Sequence, residues 1–155
     1  MIRIAEEKDI DRILELLIQV NNVHADIRPD LFIHNRTKYT RESLRAILSD
    51  EMSPIFVAVD ENDSVIGYGF TKVEKHGGEP NIQEYVSLYI DDICVDEKHR
   101  GKKVATEIYR FIEGFAAAMG FYNITLNVWE GNEGAKRFYE AMNMKVLKTT
   151  MEKVV

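Results

Sequence analysis

The sequence predicts a mixed α/β domain, a central mixed sheet flanked by about four helices. Three observations carry this. Apolar residues recur at helical spacing in four separate stretches, and runs rich in β-branched and aromatic residues lie between them. A strand–helix–strand unit from Tyr85 to Trp129 has the form of a crossover, which joins parallel neighbours in one sheet. At 155 residues the chain is expected to form one domain, 1–155, large enough for a single buried core.

Each element follows from its own pattern. Ile2 to Ala5 reads as a short strand. Asp9 opens a helix in which Ile10, Ile13, Leu14, Leu17 and Ile18 share one face. The next twenty residues are mixed and contain Pro29, so the helix is expected to end there and give way to irregular chain. Thr40 suits the N-cap of a second helix through Leu44, Ile47 and Leu48. "IFVAV" and "SVIGYGFTKV" flank "DEND" and read as a hairpin. "KHGGEPNIQ" is a loop before "EYVSLYIDDICV", whose two faces are both largely apolar, so this strand is expected to be central. A helix follows with Val104, Ile108, Phe111, Ile112, Phe115 and Met119 on its buried face, closed by Gly120. "FYNITLNVW" is a strand, "NEGAKRFYEAMN" a helix, and "MKVLKTTMEKVV" a last strand or strand pair.

Composition removes several function classes. Twenty basic against 26 acidic side chains leave a net charge of −6, which disfavours nucleic acid as the main partner. The excess of acid leaves room for a cationic substrate, though solubility alone would explain it. Cys94 is the only cysteine, so no intramolecular disulfide forms and a reducing compartment fits. The first twenty residues carry charges throughout and lack a long apolar run, so neither a signal peptide nor a membrane span is expected there, and the location is read as cytoplasmic. His24, His34, His76 and His99 have no metal-ligand spacing, so no metal is expected.

The stretch "DEKHRGKKVATEIYRFIEGFAAAMG" raises a physical question. A helix amino terminus carries about half a positive charge, yet Arg100, Lys102 and Lys103 stand immediately before it. A polyanion bound by the first-turn amides would explain the cations, with Gly101 allowing close approach. A solvated basic turn would place the same residues there. Neither GxxxxGK[ST] nor GxGxxG is present, which argues against nucleoside triphosphates and dinucleotides.

The segment "RGKKVA", Arg100 to Ala105, and the later set Asn132, Ala135, Phe138, Tyr139 and Glu140 together resemble two blocks of the GNAT superfamily of acetyl-CoA-dependent N-acyltransferases. The first block is Arg/Gln-x-x-Gly-x-Gly/Ala, the second Asn-x-x-Ala-x-x-Phe-Tyr-Glu. The motif-bearing resemblance spans Tyr85 to about Lys153. Two positions depart from the family: Lys103 stands where a Gly is usual, and Asn143-Met144 replaces Gly-Phe.

The resemblance implies the GNAT fold and an acyl-CoA site. The pyrophosphate of acetyl-CoA would lie on the amides from Arg100 through Gly101, Lys102, Lys103, Val104 and Ala105 to Thr106. The pantetheine arm would run beside the Ile93–Cys94–Val95 strand, on backbone groups of Ile93 and Val95, with Asn132 and Tyr139 contacting it from the last helix. A gap is expected between the Ile93 and Leu126 strands. Tyr139 would donate to the departing thiolate and Asp91 would act as base, directly or through water. Cys94, mid-strand and without a nearby His, is not expected to be a nucleophile.

The resulting expectation is acetyl transfer to a primary amine of a small molecule, by direct attack in a ternary complex. A protein or peptide acceptor, or a non-catalytic CoA-binding sensor, is the alternative. Asp26, Asp30, Glu79 and Glu84, in segments expected to face the acceptor, would suit a cationic amine. A homodimer is expected from the resemblance alone.

Overall fold

A computed structural model describes residues 1–155. Strands β1 (Ile2–Ile4), β2 (Ile55–Val59), β3 (Val65–His76), β4 (Tyr85–Val95) and β5 (Asn123–Leu126) form one sheet in that order. From β1 to β4 each strand runs antiparallel to its neighbour, while β5 runs parallel to β4 as the crossover predicts.

Four α-helices cover the sheet: α1 (Ile10–Ile27), α2 (Arg41–Leu48), α3 (Val104–Ala118) and α4 (Glu133–Ala141). Alternation along each strand sorts the core into two layers. Val57, Tyr68, Phe70 and Cys94 face Ile13, Leu16 and Leu44 of α1 and α2. Phe56, Ala58, Leu88 and Ile90 face Ile108, Tyr109 and Ile112 of α3, with Phe138 and Tyr139 of α4 packed on the same side.

The helix ends obey local chemistry. Thr40 caps α2, its hydroxyl accepting from the Ser43 amide, as its sequence position predicts. Gly120 and Asn143 take left-handed conformations after α3 and α4, and the amides of Phe121 and Met144 return to the carbonyls of Ala116 and Tyr139.

Three expectations need correction. α1 continues through Ile27, well past Asn21; buried Ala25 and partly buried Val20 and Val23 extend its apolar face, and the chain stops being helical only at Arg28, directly ahead of Pro29. β4 has neighbours on both sides only over residues 87–90, because β5 pairs with no more than those four. The chain after Met144 forms no strand at all within this molecule, and Val146, Leu147 and Met151 are exposed. No helix is long and apolar enough to cross a membrane.

Candidate active site

α3 begins without a cap. Lys103 precedes its first turn in the left-handed region, at φ 62° and ψ 15°, and no side chain accepts from the turn's amides. The first backbone bond of the helix runs from Glu107 N–H to the Lys103 carbonyl, so the amides of Val104, Ala105 and Thr106 have no acceptor in the chain. Lys103, which stands where the family usually has Gly, keeps the left-handed backbone of that position. The position demands the conformation that Gly adopts freely. Gly101 is also left-handed, at φ 77°, and faces open space.

Arg100, Lys102 and Lys103 are exposed around this turn. The nearest buried acid, Asp96, is already engaged by Arg12 and lies 3.5 Å from the His99 ring. Cations and free amides thus converge on one corner, and none of Arg100, Lys102 and Lys103 is ion-paired, although Glu107 lies in the first turn of the helix.

A second feature lies alongside. Past Ile90 the outer side of β4 has no strand partner. Asp96 N–H pairs with Ile66 of β3, so alternation turns residues 94 and 92 toward β3 and leaves the backbone groups of Ile93 and Val95 pointing away. Cys94 does not share that gap. Its thiol is buried under α1, donates toward the Leu16 carbonyl at 3.5 Å, and burial pushes it up to about 12.

A β-bulge decides the carboxylates. Phe70 pairs with Asp92 and Thr71 with Ile90, so Asp91 is the extra residue. Its carboxylate is held by Lys38 at 2.6 Å. Asp92 accepts from the Tyr68 hydroxyl at 2.6 Å. Burial pushes the Asp92 carboxyl up to about 6 against that hydrogen bond, and the Asp91 charge adds to the push. Tyr139 lies across the gap on α4, 6.3 Å between ring centroids from Tyr109; burial first, and then the Asp92 charge, raises its phenol. Asn132 caps α4, its side-chain oxygen accepting from Ala135 N–H at 3.3 Å, which leaves its amide N–H₂ free.

Other side chains on the α1 face complete the cleft, and no motif marked them. Lys38 reaches Asp91 from the irregular segment before α2. Phe32 packs edge-on against Trp129 at 5.4 Å and tilts on His24 at 5.3 Å, joining the end of α1 to the chain after β5. Tyr89 accepts from Asn127 at 3.2 Å just where β5 ends.

The acids expected to draw a cationic acceptor are placed otherwise. Asp26 pairs with His34 at 2.7 Å and Asp30 with Arg28 at 2.7 Å. Glu79 and Glu84 precede Tyr85, at the opposite end of β4, about 20 Å of extended strand from Asp91. No cluster of His, Cys, Asp or Glu has the arrangement to hold a metal ion.

Residues 17–144 match the acetyltransferase (GNAT) family model. The chain belongs to the GNAT acetyltransferase family. Its fold is that of a mutant of the BH1408 protein from Bacillus halodurans, at 30% identity and TM-score 0.95, covering 100% of this chain and 99% of that one. It also shares its fold with the aminoglycoside acetyltransferase meta-AAC0020 from an uncultured soil metagenomic sample, at 18% identity and TM-score 0.76, over 100% and 94% of the two chains. Glucosamine-6-phosphate N-acetyltransferase from Arabidopsis thaliana is similar at 24% identity and TM-score 0.72, over 99% and 97%. None of the curated proteins matches the chain by sequence.

Proposed function

We propose that this GNAT protein transfers an acetyl group from acetyl-CoA to a primary amine of a small molecule, by direct attack in a ternary complex. The observation that carries the reading is the uncapped, cation-lined start of α3 beside the unpaired stretch of β4. The donors fit the group. Amides of Val104, Ala105 and Thr106 would donate to a pyrophosphate, and Arg100, Lys102 and Lys103 would counter its charge. Backbone groups of Ile93 and Val95 would hold the pantetheine amides as an added strand does, and the free N–H₂ of Asn132 would donate to the same arm.

When bound, acetyl-CoA supplies an activated thioester carbonyl and a thiol leaving group. The residues of this chain handle protons. An alkylamine with a pKa of ~10 must lose a proton before it attacks. Of the two carboxylates, Asp92 has its proton affinity moved toward neutrality, so it is the stronger candidate for the base; Asp91, engaged with Lys38, is the alternative through water. The Tyr139 hydroxyl would hold a proton toward the departing sulfur, and its raised phenol keeps that proton in place until it is needed.

A small acceptor accords with the aminoglycoside and glucosamine-6-phosphate acetyltransferases that share the fold. The test is a panel of polyamines, aminoglycosides, amino sugars and lysine peptides, with free CoA release as readout. Turnover confined to small amines is expected. Tight acetyl-CoA binding with no turnover on any amine would overturn the reading in favour of a sensor.

A further inference from the structure

On the α1 side of the cleft the charges are balanced. Asp91, bulged out of β4, meets Lys38 at 2.6 Å, and the two side chains are 31% and 57% exposed, so both heads reach solvent. The Lys38 ammonium also lies 5.0 Å from the centre of the Tyr39 ring, which stacks on buried Phe70 at 5.6 Å. That contact braces Lys38 at the mouth of the cleft.

Little other charge surrounds the pair. His24 is close enough to feel both members; burial first, and then the Lys38 charge, lower its pKa, so its ring is neutral at pH 7. Asp92 is taken up by the Tyr68 hydroxyl. The rest of the wall is aromatic, with His24 against Phe32, Phe32 against Trp129, and Tyr89 on the β4 side. Such a set discriminates by charge pattern. A polycation would find one carboxylate, and Lys38 would then stand unpaired among like charges, which repel. An amine with an anionic group beside it exchanges partners with the pair instead. Its ammonium takes Asp91, its anion takes Lys38, and no charge is stranded. An exposed ion pair is weak, so opening it costs little.

We propose that the acceptor carries a carboxylate or phosphate beside its amine, and that Lys38 selects it by pairing with that group while Asp91 holds the ammonium. The apolar body of the acceptor would lie on Phe32 and Trp129. This inference rests on the acetyl-transfer reading above and narrows its substrate class.

Acceptor pairs that differ only in the anionic group test it: phenylalanine against phenylalaninamide, and glucosamine 6-phosphate against glucosamine, with free CoA release as readout. In at least one pair kcat/KM is expected to be about tenfold or more higher for the anionic member. A preference in the first pair assigns a carboxylate, and one in the second a phosphate. Lys38→Met is expected to abolish the preference and Lys38→Arg to keep it, each with native circular dichroism. Should Lys38→Met fail to fold, Lys38→Gln gives the same reading. Turnover of amines without any such preference, or a preference unchanged in the Lys38 variants that lack the charge, overturns the proposal and leaves acetyl transfer standing. No turnover on any amine removes both.

Discussion

Lys103 occupies a left-handed conformation that costs a residue with a Cβ about 1 kcal/mol relative to Gly. Lys103→Gly is therefore expected to raise stability by about that amount, read from urea denaturation. Asp92 bears on both activity and folding. In the fold its carboxyl is pushed up from 3.8 to about 6. The native state thus binds this proton more tightly than the unfolded chain does. The group favours folding fully below its unfolded value, and that contribution is lost as pH rises through the folded one. Asp92→Asn, with Tyr68 still able to donate to the amide oxygen, is expected to be more stable than wild type at pH 8. The gain should be on the order of 2 kcal/mol, discounted for partial solvent access, and should vanish by about pH 3, below the unfolded value. In kcat/KM, the wild-type rise with pH through about 6 is expected to disappear in the same variant and to persist in Asp91→Asn. Tyr139→Phe is expected to lower kcat by about 10²-fold, with the acetyl-CoA Kd nearly unchanged, as separate kinetic and calorimetric titrations would read.

At the scale of elements, close packing of α3 on the sheet sets where its amino terminus points. Gly67 and Gly69 of β3 make room for it. A Cβ at Gly67 would meet the Cys94 carbonyl at 2.9 Å, and one at Gly69 would meet the Ile112 side chain at 2.7 Å. Gly67→Ala presses on backbone and is expected to cost about 1–3 kcal/mol in denaturant titrations, with Gly69→Ala milder because Ile112 can adjust its rotamer. The elements themselves were legible where periodicity and caps agreed, as in α2 behind Thr40 and α3 before Gly120. The bulge was not. An Asp-Asp pair mid-strand announces that something is unusual there, but which carboxylate swings toward Lys38 depends on pairing with Phe70 and Thr71, twenty residues away in sequence. Lys38, Phe32 and Trp129 escaped notice for the same reason, since only the tertiary fold brings the end of α1 to the end of β5.

For the molecule as a whole, the four acids expected to face the acceptor do not gather at the proposed site. Asp26 and Asp30 are paired with His34 and Arg28, and the loop carrying Glu79 and Glu84 lies at the far end of the sheet. An acidic protein nonetheless keeps one corner of unpaired cations at the start of α3. That corner was visible in the sequence as Arg100, Lys102 and Lys103, although the strain at Lys103 was not, because a side chain's identity does not disclose its backbone angle. The last apolar stretch, expected as a strand or strand pair, forms neither, because its backbone meets no neighbouring strand within the chain. The most direct measurement on the central claim is the backbone amide spectrum of ¹⁵N-labelled protein during titration with CoA. The amides of Val104, Ala105 and Thr106 are expected to move the most, as each gains a phosphate acceptor. CoA binding that shifts other amides and leaves those three in place would contradict the account.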